Sequence, residues 1–336
     1  MLFRKVFFYS LFLMAVSLQA QDVHLSQFYS NRQNLNPAMA GNYDGRYQVA
    51  LNYRSQWAQI GNEPITTSMI SYDQKVPFYS DEIALGGMVV RDEFQGFNNV
   101  NSKYLLTAAY VKTLNFHELR AGVQFGLTTR RTDLSRQTFP NQWVRSAGIF
   151  DQNVDNREEA LQQNQNFIDV NVGFAWSKTF ANFKSTAGIS FFHVNNLNDT
   201  YFRDAIEGLK MRPVIHGEVD LNLQNGFRLI PRAMYMWTTK NENTMLGANL
   251  HKSIQNLPVQ ELYAGFLYRD GFGRNGDALI PIIGVKYKTV DVGFSYDINV
   301  SELSSGSNQK GTVEFSLLYT PPSFAPRKLA IPCDRF

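Results

Sequence analysis

The sequence predicts an all-β chain, a transmembrane antiparallel β-barrel of about 14 strands. Three observations carry that prediction. Segments of about ten residues alternate apolar with polar or small side chains, as a strand must when one face meets lipid and the other a lumen. The connections between these segments are by turns very short and long, as periplasmic turns and outer loops are. Beyond residue 20 no apolar run approaches the roughly 20 residues that a membrane-spanning helix requires.

Composition agrees and excludes other classes. Hydrophobic residues make up 44% of the chain, too many for a disordered protein, yet the mean hydropathy is −0.28. The 26 Phe and 16 Tyr suit strands, and they suit the aromatic girdles of a barrel at its two membrane interfaces. The net charge of +3 is spread out, with no basic stripe of the kind that binds nucleic acid. Cys333 is the only cysteine, which rules out an intramolecular disulfide and a thiolate metal cluster.

Residues 1–20 read as a cleavable secretory signal. Arg4 and Lys5 supply its positive region, Val6 to Leu18 its apolar stretch, and Ala20 a small residue before Gln21. Leu18 departs from the A-x-A cleavage pattern, and no cysteine stands nearby as in a lipoprotein signal. Residues 21–45 follow as an N-terminal periplasmic or plug segment, in which Leu25, Phe28, Tyr29 and Leu35 are embedded in polar sequence ending at Asn36-Pro37 and Gly41.

The barrel is expected over 46–320. Its fourteen segments are 46–56, 65–75, 83–92, 101–113, 117–131, 167–180, 183–193, 210–223, 226–238, 243–252, 259–269, 277–287, 289–298 and 312–320. In Leu119–Leu127 the outward set is Leu119, Ala121, Val123, Phe125 and Leu127, opposed by Arg120, Gly122, Gln124 and Gly126. In Ile168–Thr179 the set Ile168, Val170, Val172, Phe174 and Trp176 opposes Asp169, Asn171, Gly173, Ala175 and Ser177. Near the chain's end Val313, Phe315, Leu317 and Tyr319 oppose Thr312, Glu314 and Ser316. An even number of strands places both termini in the periplasm. On that topology Asn115-Phe116, Asn182, Gln224-Asn225 and Lys288 are periplasmic turns, while 132–166, 194–209 and 299–311 are extracellular loops. The connection 239–242 is short for an outer loop. An arginine at the lipid-facing Val172 should be costly, and one at the lumen-facing Asn171 mild.

No chemistry of catalysis is assembled. The five histidines, His24, His117, His193, His216 and His251, form no zinc-binding pair, and neither H-E-x-x-H nor G-x-S-x-G occurs. Neither a metal nor a cofactor is expected. The stretch Asp270 to Asp277 lacks the spacing of an EF-hand and reads as a tight outer hairpin. Inward-facing Arg54, Arg120, Arg228, Arg232, Glu218, Asp220 and Asp291 either line a charged pore or pair with one another and close the lumen, and pairing is the reading preferred.

The tail, 321–336, carries Pro321, Pro322, Pro326 and Pro332 and should be extended in the periplasm. Two segments not needed for the wall are therefore candidates for partner recognition. Phe28, Tyr29 and Leu35 belong to the first, where folding into the lumen is an equal alternative. Phe324, Leu329, Cys333 and Phe336 belong to the tail, where a proline-stiffened backbone presents anchors at little entropic cost.

Several stretches resemble the PorP/SprF family of the type IX secretion system. They include Gln21-Asp22-Val23-His24-Leu25-Ser26-Gln27-Phe28-Tyr29, Leu35-Asn36-Pro37-Ala38, Tyr53-Arg54-Ser55-Gln56-Trp57 and Ser71-Tyr72-Asp73. Gly265 to Arg269, Gly284 to Tyr287, Val292 to Asp297, Gly311 to Tyr319 and Cys333 to Phe336 extend the likeness over nearly the whole mature chain. Asp334 stands where the family often has proline, and Met88–Asp92 follows the third-strand pattern only loosely. The resemblance implies a FadL-like barrel in the bacterial outer membrane of Bacteroidota. It implies partners among secreted cargo, such as gliding adhesins, and the periplasmic secretion and motility machinery. The alternative function is a passive channel for small or apolar solutes.

Overall fold

Period-2 alternation makes each of these segments a strand with one apolar face. Such strands escape unpaired edges in a membrane only by closing on themselves. The chain does this in the computed structural model, which describes residues 24–56, 63–133, 137–157, 164–195, 210–238, 242–254, 258–271, 275–300 and 311–323. The signal segment 1–20 and the tail from Phe324 onward lie outside the described residues.

The strands are β1 (Tyr47–Gln56), β2 (Ile65–Phe78), β3 (Asp81–Phe94), β4 (Asn99–Leu114), β5 (His117–Thr132), β6 (Trp143–Val144), β7 (Ile149–Phe150) and β8 (Asn164–Thr179). They continue as β9 (Phe183–Phe192), β10 (Arg212–Asn222), β11 (Phe227–Trp237), β12 (Glu242–Ser253), β13 (Val259–Gly271), β14 (Asn275–Tyr287), β15 (Val290–Asn299) and β16 (Thr312–Tyr319). All but β6 and β7 form one closed barrel in sequence order, with β5 beside β8. β6 and β7 pair as a separate hairpin in the long connection between those two. Closure joins the first and last strands antiparallel, from Val49 opposite Tyr319 to Gln56 opposite Thr312.

The fourteen expected segments each coincide with a barrel strand. The observed strands run further at several ends: β2 continues to Phe78, β4 starts at Asn99 and β8 at Asn164. Polar residues such as Asn99, Asn164 and Asn166 carry the last two of these extensions. Such residues break the apolar alternation, so the pattern alone does not reach these ends.

Side-chain direction follows the expected faces. On β5, Leu119, Val123, Phe125 and Leu127 lie on the bare outer surface, whereas Arg120 and Gln124 are buried inside. On β8, Ile168, Phe174 and Trp176 are outside, and Asp169, Asn171 and Ser177 are buried. Apolar surface outside and polar groups inside invert the order of a water-soluble protein, as lipid requires.

The short connections gather at one end of the barrel. Tyr79-Ser80, Asn115-Phe116 and Lys288-Thr289 close hairpins in which Phe78 pairs with Asp81, Leu114 with His117 and Tyr287 with Val290. Tyr79, Asn115, Asn225 and Lys288 take positive φ at this end, the conformation that tight hairpin turns demand. The described part of the connection between β5 and β8, 137–157, stands at the opposite end.

Candidate functional site in the barrel lumen

Residues 24–46 run through the interior of the barrel rather than beneath it. Leu25 packs with Met69, Met88, Val90 and Leu105, towards the long-loop end. From there the chain descends to the short-turn end, where the Arg46 amide donates to the Pro321 carbonyl at 3.1 Å and β1 begins. The single turn of helix α1 (Arg32–Leu35) is started by Asn31, whose side chain accepts from the Asn34 amide. A 3-10 turn, Pro37–Met39, follows, with Asn36 accepting from the Ala38 amide at 2.9 Å. These are local devices of Asn and Pro, side chains that cap short turns.

The segment meets the wall on nearly every side. Asn36 donates to the carbonyls of Phe174 and Ile189 and lies 3.0 Å from His216 Nε2. Gly122 and Gly173 explain themselves here. A Cβ on Gly122 would overlap the Ala38 backbone, and one on Gly173 the Asn36 side chain. Gln33 donates to the Tyr72 carbonyl, Asp73 accepts from the Gly41 amide at 2.5 Å, and the Ser190 hydroxyl donates to the Leu35 carbonyl.

The densest contact is at Ser26 and Gln27. Their two backbone amides donate to the two oxygens of Glu314, both at 2.7 Å. The Ser26 hydroxyl donates to Asp297 at 2.8 Å and accepts from Arg54 at 2.7 Å and Arg269 at 3.2 Å. Arg54 also lies 3.6 Å from both Asp297 and Glu314. Arg54 and Glu314 are direct partners across the closing pair of strands, so this cluster sits on the barrel's seam. The seam's two opposite charges were visible in the sequence. Their ligand was not, because Ser26 and Gln27 carry no pattern of their own.

Phe28 and Leu35 are buried in an apolar cluster with Phe192, Val214, Met234, Met245, Leu267 and Ile280, and Tyr29 packs against it. These three expected recognition residues are therefore turned to the wall of β9 to β14. Arg232 sits 4.0 Å over the Tyr29 ring, and the Tyr29 hydroxyl shares a 2.9 Å hydrogen bond with the Asn249 amide. Burial pushes the Tyr29 phenol up to about 12, with Arg232 opposing the shift. Burial and the neighbouring Asp73 raise Tyr43 likewise. Phe324, Leu329, Cys333 and Phe336 lie outside the described residues.

The inward charges pair. Arg232 meets Glu218 at 3.0 Å, Arg228 meets Asp220 at 3.2 Å and Glu261 at 3.0 Å, and Arg120 meets Glu118 at 3.2 Å. Asp291 accepts from the Tyr263 hydroxyl. The histidines are engaged too: His193 with Asp169 at 2.9 Å, His251 stacked on Tyr263, and His117 accepting from the Trp176 indole. Asp277, in the stretch considered for calcium, is held by Arg269 at 2.6 Å. The expected mildness of arginine at Asn171 needs correction. Asn171 is 2% exposed, donates to Gln124 and accepts from the His193 amide, so it lies in packed interior and not in open water.

A closed barrel with an apolar outer band and a folded-in N-terminal segment defines the class as bacterial outer-membrane β-barrels. The fold is similar to that of a Pseudomonas aeruginosa FadL homologue, at 12% identity and TM-score 0.53 over 85% of this chain and 92% of that one. It is equally similar to the CymD monoaromatic hydrocarbon channel, at 10% identity and TM-score 0.53 over 87% of this chain and 93% of that one. Such distant likeness concerns the fold alone. Among curated proteins no sequence match was found. Residues 17–319 match the family described as type IX secretion system membrane protein PorP/SprF. The chain belongs to that family and is an outer-membrane component of type IX secretion.

Proposed function

We propose that this barrel is an accessory component that supports secretion or surface attachment of particular cargo, adhesins among them. It binds that cargo and the periplasmic machinery through its loops and its tail, and catalyses no reaction. The observation that carries this reading is the occupied lumen. Residues 24–46 are hydrogen-bonded to the wall from β1 round to β16, which suits a scaffold better than an open path. Short turns then face the periplasm and long loops the exterior, and the tail emerges beside the periplasmic machinery.

The test is deletion of 324–336. The wall is complete at Tyr319, so the truncated chain should still show the heat-modifiable mobility of a folded barrel while surface display of its cargo is lost. Normal display by the truncated protein would refute the role of the tail, and so would failure to assemble.

A second reading, a channel for apolar solutes, is favoured by one observation. The β9 to β14 side of the lumen is lined with Met234, Met236, Met245 and Ile280, an apolar surface that a purely polar pore would lack. Uptake of an aromatic hydrocarbon by cells making only this barrel would support it.

A further inference from the structure

We propose that Arg54, Arg269, Asp297 and Glu314 form a binding site for a neutral peptide that enters a turn, and that residues 25–28 of the chain, whose turn is closed by the Ser30 amide donating to the Gln27 carbonyl at 2.9 Å, are its exchangeable resident ligand. The proposal rests on the reading that the partner is an exported polypeptide, and it names where such a polypeptide would be held.

The site reads main chain. One carboxylate, Glu314, takes two successive backbone amides at 2.7 Å each, a contact that any pair of non-proline residues entering a turn can supply. Side-chain selection is added around it. The Asp297, Arg54 and Arg269 groups converge on one hydroxyl, that of Ser26. The Gln27 amide donates to Ser295 Oγ at 3.2 Å and to the Glu314 carbonyl at 3.4 Å, and its oxygen accepts from Ser316 at 2.8 Å. Apolar seats flank the polar pair, one for Leu25 among Met69, Met88 and Leu105, and one for Phe28 beside Met245 and Ile280. The site therefore selects an apolar residue, two small or amide-bearing residues and an aromatic one. Arg54 and Arg269 are already engaged by the three carboxylates of Asp297, Glu314 and Asp277, so a negatively charged side chain at either central position would be buried without a partner.

Two features make the resident exchangeable. Ser26, Gln27, Ser30, Asn31, Gln33 and Asn36 are all buried polar residues facing polar wall. Because both sides of the contact are polar, a peptide offering the same donors and acceptors can replace the resident without leaving the wall groups unpaired. The fit is also incomplete, since Asp297 Oδ1 and Gln33 Oε1 are buried without a hydrogen-bond partner. A competing ligand has an acceptor left to satisfy.

The experiment titrates a capped peptide of the sequence Val23–Asn31 into the detergent-solubilised barrel lacking residues 22–31. Saturable binding is expected, weakened about tenfold or more by Glu314→Gln, which removes a charged acceptor from two amides. A peptide with Glu in place of Gln27 should not bind. Absence of saturable binding to the folded deletion variant overturns the proposal, as does binding indifferent to Glu314→Gln. If the deletion variant does not fold, the full chain carrying Cys333→Ser and Ser30→Cys reports instead. Excess peptide should accelerate maleimide labelling of the buried position 30, and an unchanged rate overturns the proposal. Peptide binding is measured without cargo or cells, so its failure is distinguishable from failure of the tail-deletion test of display.

Discussion

Asn171 and Val172 are adjacent on β8 and point to opposite sides of the wall, one into lipid and one into a packed interior. Val172→Arg should cost about 2–4 kcal/mol near the bilayer midplane, where nothing solvates the guanidinium. Asn171→Arg should be comparably damaging, about 2–4 kcal/mol, because it combines overpacking with two lost hydrogen bonds. Urea-driven unfolding in lipid vesicles measures both, and wild-type stability of Asn171→Arg would mean that the lumen is open there. Tyr29 offers a second check. Its phenol is raised from 10.0 to about 12, so the stability it contributes is full below pH 10 and is lost as pH rises through about 12. In an alkaline titration followed by tyrosinate absorbance, the difference between wild type and Tyr29→Phe should show a phenol ionising near the upper value. Ionisation at the ordinary value would place Tyr29 in water.

Single elements carry the topology. The connection 137–157 is ordered by its own contacts: the Asp151 amide donates to the Gln142 carbonyl, and the Gln142 side chain donates to the Val154 carbonyl. It also leans on the β3–β4 connection, where Gln137 Nε2 donates to the Gly96 carbonyl. Trp143 and Phe150 meet edge to face at 4.9 Å on the β6–β7 hairpin, with Arg145 exposed beside them. Trypsin added to intact cells should cut at Arg145. Cleavage only after the outer membrane is permeabilised would reverse the topology. The long connection was legible from its position in the alternation of lengths. Its hairpin was not, because two-residue strands are too short to show a period.

At the scale of the whole molecule, the plug and the wall close the path together. Deletion of 22–41 should convert a barrel of low conductance in planar bilayers into one with a steady open pore, since the wall is closed by β1 and β16 without the plug. Equal conductance of the two proteins would show that the outer loops, not the N-terminal segment, close the lumen. The same segment staples the seam from within, through Ser26, Gln27 and Ser30, the last accepting from Asn52 of β1, so the deletion variant should also unfold at lower urea than the full chain.

The number and order of the barrel strands, and the facing of side chains on strands such as β5 and β8, were determined by the sequence alone. Lipid on one side of a strand imposes a period of two, and antiparallel neighbours with short turns leave one way to arrange the segments. The charge of the lumen was equally visible at Arg54, Arg120, Glu218 and Arg232, because polar residues on a membrane strand have only one side to occupy. The tertiary structure decided what fills that side. Phe28, Tyr29 and Leu35 have the same composition whether they meet a partner or a wall. Only closure of the barrel brings Glu314, 288 positions from Ser26 along the chain, within 2.7 Å of its amide. Contacts between residues so far apart leave no local pattern, and so the seam that holds the plug became legible only when the first and last strands met.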